Sequence, residues 1–163
     1  MSVLVSDTSV LIDLERGDFL EAVFRSSAEL AVPDLLFERE LRPYNGPDLL
    51  RTGLRVLELN SAGVQLALEY RRRTHLISLP DSFTLALAKT QGYILLTGDA
   101  ALATLAREEG VECHGVLWVL DLLERERVVP LKELCSGLTQ ICGHPRCRLP
   151  KKAVAERLRR LGQ

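Results

Sequence analysis

Five acidic residues stand where an extended run gives way to a helical one, the positions in an α/β chain where side chains gather to do chemistry. Asp7 follows Val3-Leu4-Val5-Ser6, and Asp99 follows Ile94-Leu95-Leu96-Thr97-Gly98. Each precedes a helical pattern whose first amides favour negative charge. Asp81 comes directly after Leu79-Pro80, and Glu38 and Glu40 lie in a short helical run that opens after Leu30-Ala31-Val32-Pro33. Taken singly, each aspartate is first of all a helix N-cap, where Asp is strongly preferred. Together they imply more. Ligands of an open parallel sheet bind beyond the carboxyl ends of its strands, and three or four carboxylates collected there repel one another unless paired. A divalent cation relieves that repulsion, and an all-oxygen donor set favours Mg²⁺ or Mn²⁺ over zinc. Such a set can orient and polarise a phosphodiester and generate a nucleophile from water, with no Ser or His nucleophile required.

The elements that must position these groups can be read from the pattern. Val3 to Val5, Leu30 to Val32, Tyr93 to Thr97 and Val111 to Cys113 read as buried strands, and Leu54 to Leu59 as an edge strand. Helical patterning runs from Val10, from Asp18 to Phe24, from Leu35 to Leu41, from Ser61 to Arg73, from Asp81 to Gln91 and from Ala100 to Glu108. The helix after Asp34 must stop near Arg42, because Pro43, Asn45, Gly46 and Pro47 crowd the next five positions. Beyond it, Val116 to Leu123, Leu131 to Leu138 and Ala153 to Leu161 read as further helices. A basic, kinked connector from Gly143 to Lys152 precedes the last of them. Strands alternating with helices, and no hairpin signal, predict an α/β sandwich with a mainly parallel sheet.

Four stretches in order carry a family resemblance: Val-Ser-Asp7-Thr-Ser9-Val-Leu-Ile, Val32-Pro33-Asp-Leu-Leu-Phe-Glu38-Arg-Glu40-Leu, Leu-Pro-Asp81-Ser-Phe-Thr-Leu-Ala-Leu-Ala and Leu-Leu-Thr97-Gly-Asp99. From about residue 3 to about residue 113 the chain resembles a PIN domain, of the kind found in VapC-like toxins. The resemblance implies a three-layer α/β/α sandwich around a parallel central sheet. It implies a metal-dependent ribonuclease that uses Mg²⁺ or Mn²⁺, often the toxin of a toxin–antitoxin pair, with RNA as substrate, an antitoxin protein as partner and a homodimer as assembly. The acidic quartet it implies is Asp7, Glu40, Asp81 and Asp99, with Asp7, Asp81 and Asp99 as metal ligands, and with Ser9 and Thr97 as hydroxyls bracing the aspartates. For the glutamate, the family's Glu-then-apolar pattern selects Glu40-Leu41 and leaves Glu38 as the alternative. Strict spacing from Pro33 selects Arg39 instead.

Composition sets the frame. The 163 residues, 47% hydrophobic and 26% charged, fit one soluble domain, with a core over about residues 1–115 and a helical extension over about 116–163. With 21 Lys+Arg against 22 Asp+Glu, a polyanion must be met by a local patch. Candidates are Arg71-Arg72-Arg73 and the tail through Arg146, Lys151, Lys152, Arg157, Arg159 and Arg160. Aromatic residues make up 5% of the chain, which provides no evident base-stacking platform. No apolar run is long enough to span a bilayer, and a cytoplasmic protein with reduced thiols is expected. Cys135, Cys142, His144 and Cys147 fall within thirteen residues. Their Cys-x₄-Cys and Cys-x-His spacings are no standard zinc knuckle, so incidental thiols are the expectation. Ser6-Asp7-Thr8-Ser9 has no glycine, which excludes a P-loop or dinucleotide turn there, and Ser9 excludes an Asp-x-Asp phosphatase. The remaining alternative is a catalytically silent PIN-like module that binds RNA or protein.

Overall fold

The structure is a computed structural model that describes residues 2–162. Five strands, β1 (Val3–Ser6), β2 (Glu29–Pro33), β3 (Arg55–Leu57), β4 (Ile94–Leu96) and β5 (Cys113–His114), form one sheet in the order β3-β2-β1-β4-β5, with every pairing parallel. The chain builds outward from β1 to one edge, then returns to β1's other side with β4. The crevice between β1 and β4 is therefore the switch point at which open α/β sheets bind ligands.

The helices are α1 (Thr8–Arg16), α2 (Leu20–Arg25), α3 (Asp34–Leu36, running on as a π-helical turn Phe37–Leu41), α4 (Gly46–Thr52), α5 (Ser61–Arg73), α6 (Leu79–Gln91), α7 (Ala100–Glu108), α8 (Val116–Arg125), α9 (Leu131–Gly143) and α10 (Lys151–Leu161). Strand side chains alternate between faces, which sorts the core into two layers. Leu4, Leu30, Val32 and Leu96 face a core completed by α1, α2, α8, α9 and α10. Val5 and Leu95 face the opposite core, built from α5, α6 and α7. This is the three-layer α/β/α sandwich. Val119, Leu138, Ile141, Val154 and Leu161 of the last three helices are buried in the first core, so the residues after 115 complete one layer of the sandwich rather than hang from it.

Several local expectations shift. The Pro43–Pro47 cluster stops one helix as expected but starts another: α4 begins at Gly46 with Pro47 in its first turn, where a missing N–H costs nothing. Helix α9 runs on to Gly143, and β5 pairs at Cys113–His114, somewhat later than Val111 to Cys113. Asp18 does not open a helix; it sits in a turn at φ +61°, and α2 begins at Leu20.

The arginine triplet at the end of α5 is largely taken up internally. Arg73 pairs with Glu109 at 3.1 Å and Glu108 at 3.6 Å, and Arg71 donates to the Ile77 carbonyl. Tyr70, fully buried, donates its hydroxyl to Glu109 at 2.8 Å. Arg157 and Arg160 of α10 pair with Asp121 and Glu124 and dock that helix on α8. All four cysteines are free thiols, and the Cys142 thiol is pushed up to about 11, chiefly by burial. Among the described residues no helix is long and apolar enough to cross a membrane.

The tightest packing joins α9 to the turn between α1 and α2. A Cβ at Gly137 would lie 2.2 Å from the Phe19 ring and 2.6 Å from the Gly17 carbonyl. Phe19 is 2% exposed and has nowhere to move. Gly137→Ala is therefore expected to cost about 1–3 kcal/mol through overpacking, or at least about 2–4 °C of melting temperature. An unchanged thermal melt would refute this packing.

Candidate active site

Register is the first determinant of the site. β1 pairs with β4 so that Ser6 lies beside Leu96, and one residue further on Asp7 and Thr97 stand next to each other. Asp7 is 3% exposed, a costly place for a carboxylate unless its oxygens are satisfied. Its Oδ1 accepts from the Ser9 hydroxyl at 2.8 Å and the Val10 amide at 3.0 Å, and its Oδ2 accepts from the Thr97 hydroxyl. Asp7 thus caps α1 and is tied to β4 at once. Thr97 Oγ1 in turn accepts from the Asp99 amide at 2.9 Å, and Ser9 Oγ from the Gly98 amide at 3.2 Å. These bonds hold the β4–α7 turn against the start of α1.

Asp99 caps α7, its Oδ1 accepting from the Leu102 amide at 2.9 Å. Asp81 does not cap its helix. That role belongs to Ser78, whose hydroxyl accepts from the Asp81 amide at 3.1 Å. The Asp81 carboxylate is half-buried beside the Ser78 hydroxyl.

The glutamate is placed by the π-helical turn. The Arg42 amide bonds to the Phe37 carbonyl at 2.8 Å, five residues back, so this turn holds one residue more than an α-helical turn. Within it Arg39 is exposed and Glu40 is half-buried. Glu40 Oε1 accepts from the Thr8 hydroxyl at 3.1 Å, while Oε2 is buried with no hydrogen-bond partner. Glu38 is exposed and paired with Arg42 at 2.7 Å, which holds its carboxyl below the usual range. Thr8 was not singled out in the sequence. Its only signal there is a hydroxyl beside Asp7.

Electrostatics link the carboxylates to one another. Burial raises Asp7 above the ordinary carboxylate value despite its hydrogen bonds, and Asp99 adds to the rise. Burial, then the charge of Asp7, raises Glu40. Asp81 is pushed up to about 6 by burial, with further contributions from the charges of Asp7, Glu40 and Asp99. The site therefore has excess negative charge and an unsatisfied buried oxygen.

A sequence model of the PIN domain family matches residues 3–163. The chain belongs to the PIN domain family. The match takes in the last three helices, in keeping with their place in the core. Among solved structures, the fold is similar to that of a PilT N-terminus domain protein from the hyperthermophilic archaeon Sulfolobus solfataricus. That likeness has a TM-score of 0.51 at 13% identity, over 77% of this chain and 93% of that one. No curated protein matches the sequence.

The donor set of this PIN domain fits Mg²⁺ or Mn²⁺ in chemistry: carboxylate oxygens, mutual repulsion and an orphaned oxygen on Glu40. Among the described residues no three Asp, Glu, His or Cys side chains are drawn together as a ready-made cage. This also holds for Cys135, Cys142, His144 and Cys147. For Mg²⁺ a cage is not required, since it commonly takes one or two protein carboxylates and keeps several waters.

The raised Asp81 value has a sign that can be tested. The folded state holds this proton more tightly than the unfolded chain, so the group's contribution to stability declines as pH rises from about 4 through about 6. In chelator at pH 7.5, Asp81→Asn is expected to melt higher than wild type. The gain is about 1 kcal/mol after allowance for partial exposure, or about 2–4 °C, and it vanishes towards pH 4. A variant that melts no higher at pH 7.5 would show that Asp81 is not strained by its neighbours.

Proposed function

We propose that this PIN domain is a metal-dependent endoribonuclease that hydrolyses RNA phosphodiester bonds at the β1–β4 crevice. The observation that supports the reading is the charge coupling of Asp81 to Asp7, Glu40 and Asp99 near the sheet's switch point, with Glu40 Oε2 left unpartnered. Asp7, Asp81 and Asp99 would hold Mg²⁺ or Mn²⁺. When bound, the cation supplies charge neutralisation of the phosphodiester and acidifies water at the site.

The chain's own groups divide the remaining work. Asp7 is immobile, its oxygens fixed by Thr97, Ser9 and the Val10 amide, so it presents charge at a defined place with little reorganisation. Asp99 is held through its backbone amide on Thr97 and its cap bond at Oδ1. Asp81 and Glu40, both with raised proton affinity, are suited to accept the proton of an attacking water. A general base works best when its pKa lies near the operating pH.

Calorimetry with Mn²⁺ should show binding to wild type that is lost in Asp7→Asn/Asp99→Asn. Chelator should abolish cleavage of single-stranded RNA. The contrast between the two glutamates makes a sharper prediction: Glu40→Gln is expected to lower kcat by about 10²–10⁴-fold, while Glu38→Gln stays within about threefold. Equal losses at both positions would remove Glu40 from its role. A wild-type protein that binds RNA with no cleavage at any Mn²⁺ concentration would favour the silent-module reading.

A further inference from the structure

The connector between α9 and α10 folds back to the edge of the acidic site. Along it, exposed and half-buried residues alternate: Arg146 and Arg148 are exposed, Cys147 and Leu149 half-buried. Cys147 and Leu149 pack against the first core. That anchoring leaves Arg146 and Arg148 exposed beside it. The segment is further fixed by the Arg146 amide on His144 Nδ1 at 3.1 Å and the Cys147 amide on the His144 carbonyl at 3.0 Å.

Arg146 and Arg148 line a recess of about 280 Å³ whose other walls include Ser9, Gly98 and Asp99 of the acidic site. Arg16 and Asp13 also line it, but they pair with each other at 3.7 Å. Among the described residues, Arg146 and Arg148 make no ion pair. They differ in this from Arg73, Arg157 and Arg160. On the far side of the carboxylates, Thr8 and Glu40 border a second recess of about 510 Å³ that contains exposed Arg39 and Tyr44. Ile12, 41% exposed, lines both recesses. Asp99 thus borders one recess and Glu40 the other, with Ile12 common to both.

We propose that Arg146 and Arg148 form a phosphate-binding subsite that holds the backbone of single-stranded RNA beside the bond placed at the carboxylates. The inference rests on the ribonuclease reading of that site. Guanidinium groups are matched to phosphate oxygens in geometry and charge. A net charge of -1 provides no general attraction for a polyanion, so two unpaired arginines beside an acidic cluster supply the local positive field that RNA requires there. They are positioning residues: they hold the strand and touch no reacting atom. The fixed connector pre-orders them, which lowers the entropic cost of binding.

The test is fluorescence anisotropy with a labelled single-stranded RNA of about a dozen nucleotides. The full chain is used in chelator, across a salt series, with cleavage kinetics in Mn²⁺. Arg146→Gln/Arg148→Gln is expected to weaken binding about 10- to 100-fold at low salt. The slope of log K against log salt should fall by about 1.4, two single-strand phosphate contacts at about 0.7 each. KM should rise correspondingly, with kcat within about threefold, and Arg146→Lys/Arg148→Lys should recover part of the loss. Arg25→Gln/Lys132→Gln, with the same charge removed elsewhere, should bind within about twofold of wild type. Both double variants should melt like wild type, since the altered side chains are exposed. If the connector variant binds with wild-type affinity and slope while wild type cleaves RNA, the subsite is overturned and the active-site reading stands. If both double variants weaken binding equally, the effect is general charge and the subsite is again overturned. If wild type neither binds nor cleaves RNA, the ribonuclease reading fails and the subsite fails with it.

Discussion

The burial of the Asp7 carboxylate is the constraint on which the rest of the site depends. An ionised carboxylate at 3% exposure is tolerated only when its oxygens are satisfied, and the partners that satisfy this one come from different elements. Ser9 and Val10 belong to α1, and Thr97 follows β4. Satisfying Asp7 therefore fixes the entry of α1, the placement of the β4–α7 turn and the juxtaposition of Asp7 with Asp99. A shift of β4 by one residue would break the Thr97 bond and turn Leu95 and Leu96 to the wrong cores. Polar satisfaction and hydrophobic sorting thus enforce the same register.

The second constraint is the π-helical turn at Phe37–Leu41. A π turn has poorer hydrogen-bond geometry than an α turn and persists where surrounding structure holds it. Here Phe37 and Leu41 are buried on either side of the added residue, so core packing anchors both ends of the turn. Within the turn Glu40 is half-buried, and Arg39 and Glu38 are exposed. The carboxylate that reaches the site keeps an unsatisfied oxygen, and unsatisfied buried groups in native proteins concentrate at functional places.

The last three helices belong to the same physical unit. They bury Val119, Leu138, Ile141, Val154 and Leu161 against strands β1, β2 and β4 and against α1, and α10 is held to α8 by two arginine–carboxylate pairs. Because that layer also supports α1, the helix that follows Asp7, the carboxyl-terminal segment bears on the site from behind. Its connector bears on the site from the front.

Much of this was legible in the chain because the signals are local. Alternating apolar residues, caps and breakers specified most strands and helices, and Asp7 and Asp99 followed from their position after strands. The ordered motifs brought Asp81 and a glutamate into the same set. Other features had no local signal. The bond from Thr8 to Glu40, and the burial of Glu40 Oε2 without a partner, arise only where α1 and the π-helical turn meet in space. The separation of structural arginines from free ones depends on which carboxylates lie opposite in space: Glu109 lies 36 residues beyond Arg73, and Asp121 lies 36 before Arg157. Local periodicity and side-chain chemistry determined the elements and the kinds of group available. Tertiary packing alone decided which of those groups face one another, because burial and charge pairing are properties of neighbours in space rather than along the chain.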